Sequence, residues 1–420
     1  MIHITKKPLF LLGILAAVAV AIGFYVAVTI KDMPLPKNAA FIGSAACAKC
    51  HGEEHTAWRG SMHAKMMRRI EEPGAVVADF KASDRPFDKN RAVWVIGNRW
   101  EQQFMGHDGK TETLLPGAWL VDKGKWETTG WDGWQVPVPL QRCHGCHTVG
   151  LDVKTGEFTE PGIGCESCHG PGSWHRKTFG LGKIASTPDA QVCGQCHTRG
   201  RAVDGGHFFP VGYRIGEPLA KYFKETEPTL GQTSAAWWGN GREHKRHQEY
   251  YAWRQGGHAD SLQRLKTGYD GRYGEVTSDC LRCHAAKAAL LPERVWRPDE
   301  TKHGITCAVC HPVHGELDKP RYACGDCHQG GAYYHRPERN EDHVVCGEKA
   351  GVTCVDCHMP LTGKNGGGLN LHTHHPGIIP PADTRQYGVP NSCANGGCHT
   401  HRDIQWLQDA LARHYGVSAE

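Results

Sequence analysis

The longest apolar stretch of the chain lies close to its start. Residues 9–30, LFLLGILAAVAVAIGFYVAVTI, contain no charged side chain, and Lys6 and Lys7 precede them. As a helix this stretch would be about 33 Å long, which is enough for a bilayer core of about 30 Å. We therefore expect residues 1–32 to form a transmembrane anchor, with a long signal peptide as the alternative. The lysines place the N-terminus in the cytoplasm and the body of the chain in the periplasm, outside the cytoplasmic (inner) membrane.

Short apolar runs form a second pattern between residues 91 and 138. The runs VWVIGNRW, TLLPGAWLV and WETTGWDGWQVPVP combine β-branched and aromatic residues with breaks at Gly and Pro. Such runs predict short strands or a hairpin region. Six of the 13 tryptophans lie between residues 94 and 134. We expect them to pack this small β region or to line a cavity beside it.

A repeated polar motif dominates the rest of the chain. C-x-x-C-H begins at eight positions: Cys47, Cys143, Cys165, Cys193, Cys280, Cys307, Cys324 and Cys354. Given 19 cysteines and 28 histidines in 420 residues, chance alone would produce about 0.06 copies of this motif. The motif is therefore the organising feature of the protein.

C-x-x-C-H is the signature of c-type haem attachment. Two thiols about one helical turn apart reach the two vinyl groups on one porphyrin edge, and the histidine that follows offers a nitrogen to the iron. Zinc sites and disulfides are the alternatives for paired cysteines, but zinc needs four ligands and a redox disulfide needs no histidine. The sequence predicts haem attachment by Cys47, Cys50, Cys143, Cys146, Cys165, Cys168, Cys193, Cys196, Cys280, Cys283, Cys307, Cys310, Cys324, Cys327, Cys354 and Cys357.

The last cysteine pair, Cys393 and Cys398, has four intervening residues and is followed by His399. It could be a decayed copy, a zinc site or a haem site with a longer loop. Gly396 and Gly397 would let the extra residues bulge while both thiols stay on one side. We favour haem, which gives nine covalently attached haem c groups. Cys346 is left over, and we expect it to be a small buried residue without a haem of its own.

Each haem iron needs a proximal ligand and can take a second, distal one. The proximal ligands predicted by the motifs are His51, His147, His169, His197, His284, His311, His328, His358 and His399. His144, inside the second motif, is interpreted as incidental. An internal repeat suggests two distal ligands, because AWRGSMHA at residues 57–64 and AWRQGGHA at residues 252–259 share A-W-R-x-x-x-H-A. The distal candidates are His63 and His258 from that repeat, then His175, His303, His314, His335, His343 and one of His372, His374 and His375.

The composition agrees with a haem-filled interior. Hydrophobic residues make up 39% of the chain and the mean hydropathy is −0.50, so we expect no large aliphatic core. The net charge of +4 gives no reason to expect nucleic-acid binding. The motif spacing suggests a first haem lobe at residues 41–205, a connecting segment at residues 206–279 and a second haem lobe at residues 280–420.

Four segments resemble the multihaem cytochromes of the cytochrome c-554 type: FIGSAACAKCHGEEHTAWRGSMHAKM, GIGCESCHGPGSWH, KHGITCAVCHPVHG and CVDCHMPLTGKNGGGLNLHTHHPGIIPP. That group extends to octahaem hydroxylamine oxidoreductase and pentahaem ammonia-forming nitrite reductase. The resemblance implies a mainly α-helical fold with little regular secondary structure and with stacked haem pairs. It also implies that His175 and a histidine within residues 372–375 are distal ligands.

The sequence favours electron transfer between a quinol-linked or other redox partner and a terminal acceptor. Nine haems in a body with a radius of gyration of about 21 Å must lie close together, so conduction needs no special residue. The alternative is an oxidoreductase that acts on nitrite, hydroxylamine or a similar nitrogen or sulfur compound at one open iron. The resembled nitrite reductases carry C-x-x-C-K at the catalytic haem, and this chain has no such motif. The oligomeric state is left open.

Overall fold

The computed structural model describes residues 7–108, 111–128, 142–186, 188–268, 275–315, 322–328, 352–365 and 368–415. Helices within these residues are mostly one or two turns long. In chain order they are α1 Lys7–Asp32, α2 Ser44–Cys47, α3 Gly52–Gly60, α4 His144–His147, α5 Cys165–His169, α6 Ser173–Lys177, α7 Gln191–Gly194, α8 Glu249–Gln255, α9 Ser261–Thr267, α10 Ser278–His284, α11 Ala286–Leu290, α12 Cys307–Cys310, α13 Cys324–Cys327, α14 Cys354–His358, α15 Pro381–Tyr387 and α16 Ile404–Tyr415.

Each regular C-x-x-C-H motif overlaps one of the short helices, namely α2, α4, α5, α7, α10, α12, α13 or α14. A helical turn has 3.6 residues, so cysteines three positions apart come to lie on the same side. The expected mainly α-helical fold with little regular secondary structure is confirmed.

The strands are short and antiparallel. They are β1 Met67–Arg69, β2 Ala92–Ile96, β3 Glu101–Asp108, β4 Thr111–Leu114, β5 Ala118–Leu120, β6 Lys125–Glu127, β7 Thr148–Val149, β8 Glu160–Pro161, β9 Gly200–Ala202, β10 Phe223–Glu225, β11 Leu361–Asn365 and β12 Gly368–His372. The first six strands form one sheet in the order β1-β2-β3-β5-β6, and β4 pairs with β3. The predicted β region is therefore present.

Aromatic residues hold this sheet together. Phe87, Phe104 and Trp126 are buried and meet edge to face or tilted at 5.5–5.7 Å between ring centres. Such contacts add to the free energy gained by burying the rings. Trp100 instead borders the large cavity described below. Trp131 and Trp134 lie outside the described residues.

Apolar packing outside the sheet is divided among small clusters. Leu262, Leu265, Leu281 and Trp296 form one cluster around α9 and α10. Tyr250 packs with Leu219 and other residues in another cluster. Within the described residues these clusters are separate, so the protein has no large aliphatic core there.

The expected anchor at residues 1–32 overlaps α1. In the part of the chain that the structure describes, no helix combines the length and apolarity that crossing a membrane requires. The structure thus gives the predicted transmembrane anchor no support.

Candidate functional site

The attachment sites are numbered 1 to 9 by their first cysteines, in the order Cys47, Cys143, Cys165, Cys193, Cys280, Cys307, Cys324, Cys354 and Cys393. A recurring hydrogen bond closes the motif. The backbone N–H of the proximal histidine donates to the carbonyl of the first cysteine at 3.0 Å for His51, 2.9 Å for His197, 2.8 Å for His311 and 2.9 Å for His328. This bond fixes the imidazole directly after the two thiols.

One continuous cavity of about 4400 Å³ runs through the protein. Its volume is several times the roughly 300–1,000 Å³ of a pocket for a single small ligand. All eight proximal histidines of the regular motifs line it: His51, His147, His169, His197, His284, His311, His328 and His358. A space of this size with repeated thiols and imidazoles at its wall fits several porphyrins rather than one substrate.

The distances between facing imidazole rings show whether an iron would fit between them. A nitrogen binds a transition metal at about 2.0–2.1 Å and lies about 1.1 Å from the ring centre, so two imidazoles on opposite sides of one metal have centres about 6.3 Å apart. The structure places proximal and candidate distal rings at this spacing: His51–His175 at 6.3 Å, His169–His314 at 6.1 Å, His197–His63 at 6.4 Å, His311–His374 at 6.2 Å and His328–His258 at 5.9 Å. The side chains therefore fit bis-histidine haem c at sites 1, 3, 4, 6 and 7.

Hydrogen bonds orient several of these rings. Nδ1 of His169 lies 2.6 Å from the carbonyl of Ala185, and Nδ1 of His175 lies 2.8 Å from that of Gly182. A backbone carbonyl bound at Nδ1 fixes the tautomer and leaves Nε2 for the metal.

Burial keeps other rings neutral. It lowers the pKa of His63, His147 and His311 to about 4. These imidazoles are uncharged near pH 7, which is the form that binds a metal.

Not every distal candidate meets a proximal ring. In the described part of the chain the structure does not bring His303 to a proximal histidine, and the His303 carbonyl instead accepts a hydrogen bond from Ala286 at 3.1 Å. His374 is the member of the 372–375 group that meets a proximal ring, while Nδ1 of His372 faces the carbonyl of Met359. His335, His343 and Cys346 lie outside the described residues.

His247 was missed by the sequence analysis. Its ring centre lies 6.2 Å from that of His197, and its Nδ1 lies 3.0 Å from the carbonyl of Cys196. Site 4 therefore has two neighbouring imidazoles, His63 and His247. The sequence offered no signal for His247, because this histidine belongs to no repeat. In the structure its backbone φ of 65° is unusual for a residue other than glycine.

The alternatives for the cysteines find no support in the described residues. All 18 motif cysteines are free of disulfide bonds. Among the described residues, no group of three histidine, cysteine or acidic side chains converges in the way a bound metal ion would need.

Site 9 keeps the local geometry of the regular sites. A 3₁₀ turn at Asn395–Gly397 takes up the extra residues, with Gly397 at a φ of 84°. The N–H of His399 still donates to the carbonyl of Cys393, at 3.3 Å. The extra residues thus bulge out while the closing hydrogen bond is kept. Ser392 ties this site to site 8, because its hydroxyl donates to the Cys357 carbonyl at 2.7 Å.

The two copies of A-W-R-x-x-x-H-A make matching contacts. Trp58 Nε1 donates to the Ile163 carbonyl at 2.8 Å, and Trp253 Nε1 donates to the Ile305 carbonyl at 2.9 Å. Each isoleucine lies two residues before the first cysteine of site 3 or site 6. The helices α3 and α8 end before the repeated histidines, so His63 and His258 lie beyond the helices rather than on them.

Thiols of different motifs also lie close to one another. In five pairs one thiol is near enough to shift the pKa of the other: Cys47–Cys165, Cys146–Cys196, Cys193–Cys307, Cys283–Cys327 and Cys324–Cys354. They join sites 1 and 3, 2 and 4, 4 and 6, 5 and 7, and 7 and 8. Two further pairs, Cys168–Cys193 and Cys310–Cys324, are close enough for their charges to interact. Together these contacts form one connected series, 1-3-4-6-7-8, with sites 2 and 5 as side branches.

Comparisons with known proteins agree with this geometry. The family model of cytochrome c554 and c-prime matches residues 46–91, 125–170 and 243–312. The crystal structure of the outer cell wall cytochrome OcwA is similar over 89% of this chain and 86% of its own, with a TM-score of 0.77 and 28% identity. The fold also resembles an undecahaem cytochrome from the S-layer of Carboxydothermus ferrireducens, with a TM-score of 0.56 and 22% identity over 91% of this chain and 60% of that one.

Among curated proteins, the C-type polyhaem cytochrome OmcB of Geobacter sulfurreducens is 37% identical over 73 residues, which are 14% of this chain and 9% of that protein. The chain therefore matches only a small part of that relative's length. The family match, the solved structures and the repeated attachment geometry lead to the same conclusion. The chain belongs to the multihaem c-type cytochromes.

Proposed function

We propose that this cytochrome carries electrons along the connected series of sites, from a quinol-linked or other redox partner to a terminal acceptor. The haem irons supply one-electron chemistry when bound. The chain's own residues hold the attachment points in contact and provide the axial nitrogens.

The observation that supports the proposal most strongly is the thiol network. Each thiol would be joined to a porphyrin edge through a single bridging carbon. Two motifs whose thiols lie this close would bring their porphyrin edges near each other. Because the five contacts and the two longer-range pairs connect all eight regular sites, no regular site is isolated.

We further propose that site 9 is occupied, which gives nine haems. The closing hydrogen bond from His399 to Cys393 and the tie from Ser392 to site 8 support this count. The cysteines and the histidine of site 9 lie outside the wall of the large cavity. Site 9 is then an end of the series, next to site 8.

We also propose that the body of the protein functions outside the cytoplasmic membrane. Haem attachment at C-x-x-C-H in bacteria takes place there, and the basic N-terminus with its long apolar stretch points the same way. Cell fractionation with detection of haem tests this proposal. A haem-loaded chain that remains in the cytoplasm contradicts it.

A second candidate function is the reduction or oxidation of a small nitrogen or sulfur compound at an open iron. In the described residues, neither His147 of site 2 nor His284 of site 5 meets a second imidazole, and both sites are side branches. Burial lowers the pKa of His147, and the positive charge of the nearby Arg246 lowers it further. A cation beside an open position would suit an anion such as nitrite.

Spectroscopic titration of the purified holoprotein separates the two functions. Electron transfer alone predicts that nitrite, hydroxylamine and sulfite leave the spectrum unchanged and are not turned over. Rapid mixing with a reductant should then reduce all haems together. A high-spin signal that such a ligand shifts would favour the second function. A haem content well below nine by intact mass would contradict the proposed count.

A further inference from the structure

A largely buried carboxylate faces the proximal histidine of site 4. Glu249, the first residue of α8, places Oε2 3.4 Å from Nδ1 of His197. Its other oxygen accepts a hydrogen bond from the His247 N–H at 3.0 Å. The N–H of Tyr250 donates to the His197 carbonyl at 3.0 Å. The start of α8 is therefore fixed against this one histidine.

Other proximal histidines have a neutral partner at the same nitrogen. Nδ1 of His169 faces the Ala185 carbonyl at 2.6 Å, and Nδ1 of His284 faces the Ser261 carbonyl at 3.3 Å. A carbonyl is a neutral acceptor, whereas a carboxylate carries a full negative charge. At 3.4 Å the Glu249 carboxylate forms an ion pair with His197 rather than an aligned hydrogen bond, and its charge acts on the ring through the Coulomb interaction. Site 4 thus differs electronically from sites 3 and 5.

Glu249 carries this charge despite its burial. One of its oxygens is fixed by the backbone N–H of His247, and the other lies within ion-pair distance of His197. A carboxylate in this position would take up the proton side of Nδ1 and leave Nε2 as the nitrogen for iron.

Site 4 is also the junction of the network. Cys196 lies near Cys146 of site 2, Cys193 lies near Cys307 of site 6, and Cys168 of site 3 lies near Cys193. Within this series, an electron that passes between the first four sites and the others crosses site 4. A change in the potential here affects every such transfer.

We propose that Glu249 is a positioning residue that lowers the reduction potential of the haem at site 4. This inference rests on the proposed electron-transfer function. A carboxylate on the far nitrogen makes the bound imidazole a stronger donor, which stabilises the oxidised iron. Reduction takes one electron from a reduced neighbour and removes one positive charge from the iron, so a nearby negative charge disfavours it. No bond is made or broken in this step.

The test is a spectroelectrochemical titration of the haem-loaded full chain and its Glu249→Gln variant. We expect one haem to become easier to reduce by at least tenfold in its equilibrium constant, which is about 59 mV for a one-electron couple. We also expect one low-spin ferric signal to shift in the electron paramagnetic resonance spectrum. A merely structural contact would shift neither.

The matched control is Glu225→Gln. Glu225 is also largely buried, but it pairs with Arg254 at 2.8 Å rather than with an imidazole. Its titration should overlay that of the wild type. An E249Q protein with full haem content and an unchanged titration overturns the inference, while the proposed function stands. A wild-type protein without a haem at site 4 overturns the proposed function itself.

A second variant covers the case in which E249Q fails to load haem. Glu249→Asp keeps the charge but moves it away from Nδ1. We expect a smaller positive shift of the same haem, because the Coulomb energy falls with distance. An E249D titration identical to the wild type, with the shorter side chain no longer reaching His197, overturns the inference.

Discussion

Two parts of the molecule repeat one arrangement. The first unit consists of residues 57–64 with sites 2, 3 and 4, and the second consists of residues 252–259 with sites 5, 6 and 7. In both, a tryptophan N–H holds the isoleucine before the middle site, at 2.8 and 2.9 Å. In both, the first and third sites place two thiols close together, Cys146 near Cys196 and Cys283 near Cys327.

The chain between these contacts differs greatly. The first unit inserts the six-stranded sheet between its tryptophan segment and site 2, whereas the second has the two-turn helix α9 in that place. The repeated histidine also meets the corresponding proximal ring in each, His63 with His197 and His258 with His328. The shared contacts are those that hold haem attachment points, so the intervening chain is free to vary in length and structure.

The largest expected effect is the difference between removing site 4, the junction of the series, and removing site 5, a side branch. The pair C193S and C196S removes site 4, and the pair C280S and C283S removes the side branch at site 5. Protein-film voltammetry should show the loss of several connected haems in the first variant and of one haem in the second, because only site 4 links the two units. Intact mass checks that each variant lacks one haem. Equal losses from both variants would contradict the branched network.

The spin state of each haem iron depends on whether its distal ligand is present, so it can be used to compare the distal ligands of the two units. His63→Gly should convert one haem to high spin, and His258→Gly should do the same at site 7, because each removes a nitrogen facing a proximal ring. His247→Gly should leave every haem low spin, since His63 still faces the His197 ring at 6.4 Å. Magnetic circular dichroism with and without added imidazole measures this. High spin in H247G with low spin in H63G would reverse the assignment.

A stability difference is expected where the units diverge. Glu166 in C-E-S-C-H accepts backbone N–H bonds from Ile42, Gly43 and Gly172 at 2.7–3.0 Å, whereas Ala308 fills that position in C-A-V-C-H. Glu166→Ala leaves these donors buried, at a cost of about 1–3 kcal/mol for each unsatisfied group. Thermal unfolding of the holoprotein should show a clear decrease in Tm.

Ala308→Gly is the control for this variant. It removes no hydrogen-bonding group, and it should cost only about 1 kcal/mol or less through helix propensity. A Glu166→Ala protein no less stable than Ala308→Gly would show that the carboxylate does not hold the segment around residue 42.

The smallest expected effect tests the equivalence of the units. Trp58→Phe and Trp253→Phe each remove one N–H donor while keeping an aromatic ring. Each should lower the free energy of unfolding by about 0.5–1.5 kcal/mol, and the two values should agree. Chemical denaturation followed by haem absorbance measures them. A large cost at only one of the two would argue against equivalent units.

The sequence predicted the attachment chemistry and fold class well because covalent attachment needs fixed spacing. The same requirement made His51, His197 and the other proximal residues recognisable. Distal ligands obey no local rule, since His314 reaches His169 from the neighbourhood of another motif. His63 and His258 were accessible only through their repeat, His247 was missed, and His303 was placed among the distal candidates without structural support. The order of sites depends on tertiary contacts such as Cys193–Cys307, which no local pattern encodes.

A structure of the haem-loaded protein tests the central claim most directly. The account predicts one haem at each attachment site and touching porphyrin edges at sites 1 and 3, 2 and 4, 4 and 6, 5 and 7, and 7 and 8. Protein between the edges at site 4 and those of sites 2 and 6, or an empty site 4, would contradict it.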